Sequence, residues 1–358
     1  MNSRVKKVIY ISNVEVPYRI EFFNQLAKQC DLTVLYEKDD SNERNKKWMQ
    51  SVKKNYRVEY LNGKRVVGDN YFSFKILKYI FSKPDVIVIG CYNSPVQMFA
   101  TILMRMFRMK YIINLDGEPY LDGNPLKVMI KKMFLKGATH YLVAGNVAAK
   151  KLGKIINENR ITMYPFSSLT RTEVNSDIYN CDDKRESVLV VGQYYEYKGL
   201  DIAAKAARML PDVKWKFVGM GKRKDAFVKE QNIADCPNIE VIPFLQKDNL
   251  YKEYRKCKVL VLPSRQECWG LVVNEAASIG TPIVSTWGSG AAVEFLKDSE
   301  YECFLAKSGD VDDLVEKVQL CLERNNTEYC KYLLKKSKQY TIESCVQKHI
   351  EAFNSVCI

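Results

Sequence analysis

Two glutamates, Glu267 and Glu275, stand with seven residues between them in the run Pro263-Ser264-Arg265-Gln266-Glu267-Cys268-Trp269-Gly270-Leu271-Val272-Val273-Asn274-Glu275. A carboxylate accepts through two oxygens, so each can take paired hydroxyls, as a ribose diol or a sugar presents them. Lys198, in Gly192-Gln193-Tyr194-Tyr195-Glu196-Tyr197-Lys198-Gly199, brings a compact positive charge suited to a phosphate. Each residue alone has a plainer use. Acids in the first turns of a helix complement its dipole, and a lysine at a turn is ordinary surface.

The neighbouring elements decide between these uses. Lys258–Leu262 is a short apolar run that reads as a buried strand. Leu271–Ile279 has helical composition and ends at Gly280, with Pro282 beyond; Ile283–Ser285 reads as the next strand. The two acids therefore flank a strand-to-helix turn in a parallel α/β layer, where ligands bind beyond the carboxyl ends of strands. The helix start near Gly270 offers backbone N–H groups and a positive dipole end to an anion such as a diphosphate. Lys198 lies in a similar turn, between the strand Val188–Gly192 and the helix Leu200–Met209. Val218-Gly219-Met220-Gly221 closes another strand with a glycine loop, a weak signal alone.

The first half alternates in the same way. Val5–Ser12, Leu32–Tyr36, Val86–Gly90, Tyr111–Asn114 and Tyr141–Ala144 read as strands. The stretches 20–30, 74–81, 94–109 and 146–154 read as helices, and Lys38–Lys54 as a charged loop or exposed helix. This order predicts parallel, doubly wound sheets. With 358 residues, two domains are expected: 1–168, a polar linker over 169–187, 188–340, and a last helix within 341–358.

The string around Glu267 and Glu275 resembles the Glu-x7-Glu signature of family 4 glycosyltransferases, in the Pro-Ser before the first acid, the aromatic-Gly-Leu after it and Glu-Ala in the helix. The likeness continues through Gly280-Thr281-Pro282-Ile283-Val284 and Trp287-Gly288-Ser289-Gly290-Ala291-Ala292-Val293-Glu294. It implies the GT-B architecture: two doubly wound Rossmann-like domains facing a central cleft, closing over the donor, with the C-terminal helix returning to the first. It implies donor contacts from Gly192, Gln193, Lys198, Gly219, Gly221 and Phe244, the last walling the base or simply packing in the core. It adds Arg265, Cys268, Trp269, Gly270, Leu271 and Glu275 from the signature string. Glu267 and Lys198 are the expected catalytic pair, holding sugar hydroxyls and the leaving diphosphate. The family's Gly-Arg…Lys-Gly element is matched at Lys198, but Gln193 stands where its Arg would be. The clamp then lacks one charge, unless Arg265 or Lys222 supplies it. Retention of anomeric configuration also follows from the resemblance.

On the acceptor side, Asn114, Asp116 and Glu118 end a first-domain strand, and Tyr18 and Arg19 follow the first strand. Asp-Gly is also a common turn pair, and Arg19 could bind an acceptor phosphate or cap the surface. Many relatives carry a His near Asn114; here Asn and Asp occupy the place. No Asp-x-Asp stands at a strand end, so neither a metal nor another cofactor is expected.

Composition narrows the class. No apolar run approaches the ~20 residues of a spanning helix. Eleven cysteines, odd in number and without Cys-x-x-Cys, favour thiols in a cytoplasmic protein. The charge of +13 could attract nucleic acid, an anionic bilayer or phosphorylated substrates. Phe99–Lys110 mixes large apolar and basic residues. Leu126, Met129, Ile130, Met133 and Phe134 fall at helical spacing among Lys127, Lys131, Lys132 and Lys136. Core packing is the preferred use of that stripe, and contact with an anionic leaflet the second. The leading expectation is a UDP-sugar-dependent hexosyltransferase acting on a saccharide, lipid-linked acceptor in surface polysaccharide synthesis, at the inner face of the cytoplasmic membrane. A non-catalytic GT-B scaffold and another GT-B enzyme such as a sugar-nucleotide epimerase are the alternatives, with a basic nucleic-acid-binding protein ranked below them. Nucleic acid is not an expected partner, since no recognition motif appears.

Overall fold

The computed structural model describes residues 5–13, 15–38, 53–67, 70–90, 92, 94–119, 124–174 and 187–356. Most of the charged run 38–54 and of the linker 169–187 lies outside them. The chain forms two compact units, Met1–Ser168 with Ile342–Ile358, and Leu169–Thr341.

The first unit carries the strands β1 (Lys7–Ser12), β2 (Asp31–Tyr36), β3 (Arg57–Tyr60), β4 (Lys64–Val67), β5 (Asn70–Phe72), β6 (Val86–Ile89), β7 (Ile112–Leu115), β8 (His140–Ala144) and β9 (Ile161–Tyr164). Seven of them form one parallel sheet in the order β3-β2-β1-β6-β7-β8-β9, and β4 and β5 make a separate antiparallel pair. β6, β7 and β8 are buried throughout, which is why they read as unbroken apolar runs rather than alternating ones. Sequence periodicity did not pick out β3, β4, β5 or β9. Each has only three or four residues, and β3 and β5 are half-buried. The last helix, Ile342–Val356, belongs to this unit. Lys6 Nζ donates to Asn354 Oδ1 at 2.6 Å, and Lys110 Nζ to the Val356 carbonyl at 3.1 Å.

Two expectations are corrected. The helix Pro125–Leu135 does not turn its apolar stripe into the core: Leu126, Met129, Ile130 and Met133 are exposed, and among its described side chains only Phe134 and Leu135 count in the buried core. Its neighbour Pro95–Met106 buries Val96, Gln97, Ala100, Thr101 and Met104 and leaves Ile102 and Met106 exposed. Among the described residues, Cys330 is disulfide-bonded while seven other cysteines are thiols, so the all-thiol reading fails at that position.

The second unit holds β10 (Ser187–Val191), β11 (Lys214–Val218), β12 (Ile239–Ile242), β13 (Cys257–Leu262), β14 (Ile283–Thr286) and β15 (Leu305–Ala306). Their order is β12-β11-β10-β13-β14-β15, all parallel, the 3-2-1-4-5-6 arrangement of a dinucleotide-binding sheet. The order reverses between β10 and β13, so the turns leaving these two strands flank the switch point where such sheets hold ligands.

Candidate functional site

β10 ends in Gly192, whose N–H bonds the Val218 carbonyl at 3.0 Å. The chain then runs through Gln193 and a short turn, Glu196–Lys198, into the helix Leu200–Met209. Gly199 makes that entry with φ 68°, and a Cβ there would lie 2.0 Å from the Pro263 carbonyl oxygen. Only glycine lets the β10 turn approach the β13 turn this closely. The contact is extended by the Gln266 N–H, which bonds the Tyr197 carbonyl at 3.1 Å.

This closeness brings the predicted pair together. Lys198 Nζ forms an ion pair and hydrogen bond with Glu267 Oε2, and both side chains are partly exposed. The Glu267 backbone is fixed independently: its N–H bonds the Gly288 carbonyl at 2.8 Å, and its carbonyl accepts from Gly290 N–H at 3.1 Å. Glu267 is thus held on the rim of the sheet with its carboxylate against the one lysine of the β10 turn.

Arg265 is engaged elsewhere. Its guanidinium grips Asp201 with two bonds, 2.7 and 2.6 Å, and donates to the Glu196 carbonyl at 2.7 Å. The Asp201 bonds raise the Arg265 pKa. Burial acts to raise the Asp201 carboxyl, but Arg265 more than offsets this and holds it below the usual range. Arg265 therefore braces the two turns and does not stand as a spare cation for Gln193. Lys222 is exposed on the turn Gly221–Arg223.

The glycine loop lies beside this cluster. Gly219 and Gly221 have φ 87° and 61°; a Cβ on Gly219 would lie 3.9 Å from the Gly192 carbonyl oxygen, and one on Gly221 3.8 Å from Gln193 Cδ. Phe244, just beyond β12, is half-buried and outside the buried core. The turns after β10, β11 and β12 so gather Gly192, Gln193, Gly219, Gly221 and Phe244 at one end of the sheet.

The helix carrying Glu275 spans Leu271–Ala277, seven residues, entered through Gly270 at φ 98°. So short a helix presents N–H groups but little summed dipole. Glu275 Oε2 accepts from the Tyr254 hydroxyl at 2.8 Å. Tyr254 is fully buried on the helix Lys247–Lys256; burial, then the neighbouring Glu275, keeps its hydroxyl protonated far above the usual range. Cys268 is exposed. Trp269 is buried, its indole N–H donating to Asn274 Oδ1 at 2.8 Å, which makes it a fold residue that fixes the helix start.

The acceptor candidates sit in the first unit. Arg19 is buried and pairs with both oxygens of Asp116. The same carboxylate accepts from Asn114 Nδ2 and from the Tyr164 hydroxyl, each at 2.8 Å. Asn114 Oδ1 faces His349 Nε2 at 3.1 Å, and His349 Nδ1 lies 2.8 Å from the Cys345 carbonyl. Burial, aided by the Arg19 charge, outweighs the Cys345 carbonyl and the Asp116 charge and pushes the His349 pKa down to about 3. The network joins β7, β9, the helix Pro17–Leu26 and the last helix. Arg19 is thus committed to Asp116, against the reading in which it binds a phosphate, and Asp116 is the partly exposed member. Tyr18 packs edge-on to Phe166 at 5.9 Å, and Glu118 pairs with Lys151.

Sequence reasoning missed several groups here. Glu15, beyond β1, is buried and accepts from Lys54 and Tyr60, each at 2.7 Å. Glu37, beyond β2, is buried and accepts from Ser94 at 2.5 Å and Gln97 at 2.7 Å; burial raises its pKa. Their signal was placement: each is the first acid after a strand that reads clearly in the sequence. Tyr254, Tyr164 and His349 carried no such signal, because they reach their partners from elements distant in the chain.

The family described as Glycosyl transferases group 1 matches residues 172–340. An uncharacterized glycosyltransferase of Methanocaldococcus jannaschii is 27% identical over 304 residues, covering 81% of this chain and 82% of that protein. Anabaena HepE, solved in complex with UDP-glucose, superposes with a TM-score of 0.71 at 14% identity, over 98% of this chain and all of that one (100%). The lipopolysaccharide outer core galactosyltransferase WaaB, in its apo form, gives 0.66 at 14% identity, over 98% and 99% of the two chains. The two parallel sheets give this chain the GT-B fold, and residues 172–340, which carry the Lys198–Glu267 pair at the switch point of the second sheet, match the group 1 glycosyl transferases.

Proposed function

We propose that this chain transfers a hexose from a nucleoside diphosphate sugar, UDP-linked in the first instance, to a saccharide acceptor carried on a lipid. Transfer would proceed with retention and without a metal, in surface polysaccharide synthesis at the inner face of the cytoplasmic membrane. The observation that carries this is the Lys198–Glu267 pair, held by the turns that flank the switch point.

The two residues neutralise each other, and a nucleotide sugar offers each a better partner. Lys198 exchanges Glu267 for diphosphate oxygens, and Glu267 turns to sugar hydroxyls. Cleavage of the sugar–phosphate bond leaves negative charge on the diphosphate and positive character on the sugar ring. The ammonium meets the first and the carboxylate lies near the second. Glu275, oriented by the Tyr254 hydroxyl at its Oε2, would hold a ribose hydroxyl. Gly219 and Gly221 let the diphosphate approach the backbone. Same-face attack leaves a phosphate oxygen as the base. Lys198 supplies the charge that a cation would otherwise bring.

UDP in complex with HepE supports the choice of base, and WaaB, named for lipopolysaccharide, supports the acceptor class. A scaffold without catalysis is favoured by one observation: Gln193 lacks a charge, and Arg265 is bound to Asp201. Thermal shift with UDP, GDP and ADP on wild type and Glu275→Ala separates the two. A ligand at ~100 times its dissociation constant adds ~2.7 kcal/mol. A shift with UDP, lost in the variant, supports the transferase. No shift with any nucleotide supports the scaffold. Product anomer analysis and turnover in a chelator then test retention and metal independence.

A further inference from the structure

A helix on the surface of a protein turns its apolar side inward and its polar side to water. Two neighbouring helices of the first unit break this rule. On Pro125–Leu135 the residues at i, i+3, i+4 and i+7, Leu126, Met129, Ile130 and Met133, all face solvent. On Pro95–Met106 the face opposite the buried Val96, Ala100 and Met104 is also apolar. Met106, Phe107, Leu126, Met129 and Met133 are between 53 and 70% exposed.

The two helices are joined at their C-terminal ends. Arg105 donates to the carbonyls of Met133, at 2.5 Å, and Phe134, at 3.3 Å. Phe107 packs edge-on to Phe81, itself exposed, at 5.1 Å. The exposed side chains therefore share one side of the unit. Single exposed apolar residues are ordinary, but a joined set of large ones marks a surface made to be covered.

Charge says by what. Between Val86 and Leu115 the sequence holds no acidic residue, and between Asn124 and Asn157 none either, while these spans carry ten Lys or Arg. Arg108, Lys132 and Lys136 are exposed beside the apolar set. Large apolar side chains ringed by exposed cations match a leaflet of anionic lipid, with the apolar groups among the acyl chains and the cations at the headgroups.

We propose that the helices Pro95–Met106 and Pro125–Leu135 form a docking face for an anionic bilayer, which brings the enzyme to a lipid-linked acceptor. The proposal deepens the functional reading given above and rests on it only for the acceptor; the surface stands on exposure and charge.

Co-sedimentation of the full chain with vesicles tests it. Wild type is expected to bind phosphatidylglycerol–phosphatidylcholine vesicles, to bind pure phosphatidylcholine at least tenfold more weakly, and to weaken as salt rises. Each cation at a charged leaflet is worth about fivefold, so Lys132→Glu with Lys136→Glu should lose at least ~20-fold. Met106→Ser with Met133→Ser should lose a similar factor on anionic vesicles. All four residues are exposed, so circular dichroism and Tm should stay unchanged. Equal binding to neutral and anionic vesicles, or variants that bind like wild type, would overturn the proposal. So would a dimer in sedimentation velocity that Met106→Ser with Met133→Ser dissolves, since the face would then be covered by a second copy. UDP thermal shift on the same preparations keeps the two readings apart. Vesicle binding without a UDP shift supports the face and defeats the donor reading; a UDP shift without vesicle binding does the reverse.

Discussion

The two units place charge at their strand ends in opposite ways. In the first, Arg19 is 7% exposed and its partner Asp116 33%, and Asp116 also accepts from Asn114 and Tyr164, so the buried cation is consumed inside the unit. In the second, Lys198 and Glu267 are 23% and 14% exposed, on a turn and a rim. A buried cation that loses its partner is left uncompensated, whereas a pair with both members in reach of water can exchange partners with a ligand. The first arrangement suits holding a shape and the second suits chemistry.

The largest test of this contrast is Asp116→Ala, which strands the Arg19 guanidinium in the interior. It should cost ~3–5 kcal/mol in urea unfolding; a loss below ~1 kcal/mol would remove the first unit's pair from the list of structural devices. Lys198→Ala should leave the urea midpoint almost unchanged and lower turnover by ~10²-fold, the effect of removing one group that meets developing charge. Equal losses of stability and activity in that variant would erase the distinction between the units.

The third test uses pH. An unfolded histidine takes its proton near pH 6.5, and folded His349 resists until about pH 3. The depressed pKa leaves full stability above ~6.5, and protonation of the unfolded chain erodes it as pH falls toward 3. The slope is ~1.4 kcal/mol per pH unit. His349→Gln should flatten that slope between pH 6 and 4, read from urea midpoints of both proteins; parallel curves would mean that the ring titrates normally. The smallest effect belongs to Tyr254→Phe. A hydrogen bond to a carboxylate is worth ~1.5 kcal/mol, so UDP should bind ~10-fold more weakly. Calorimetry with 2′-deoxy-UDP and 3′-deoxy-UDP should show a smaller loss for whichever analogue lacks the hydroxyl that Glu275 holds. The same loss for UDP and both analogues would make Tyr254 a packing residue.

The contrast also explains what could be read in advance. Lys198 and Glu267 follow apolar strands and precede helices, and Glu275 lies in the second of those helices, so the strand–helix order set them at the carboxyl ends of the strands. The near-continuous runs of β6, β8, β10 and β13 announced a parallel sheet for the same reason: both their faces are covered. Pairing was not legible. Nothing near Arg265 in the chain points to Asp201, and nothing near Asn114 points to His349, 235 residues away. The exposed stripe of Pro125–Leu135 misled because periodicity reports that a helix has an apolar face and is silent on what that face meets.

The last helix gives the molecule a history as well as a shape. Residues 169–341 are contiguous, so the second unit has all its parts once that stretch has been made. The first unit begins 168 residues earlier and still lacks the helix Ile342–Val356. On a ribosome, where units form as their segments emerge, the N-terminal sheet is born first and finished last. Until then Phe22 and Tyr164, whose rings lie 4.7 and 4.8 Å from His349, have no cover from that ring. A translation arrest just before residue 342 would release a protein with a complete second unit and an open first one, a substrate for chaperones.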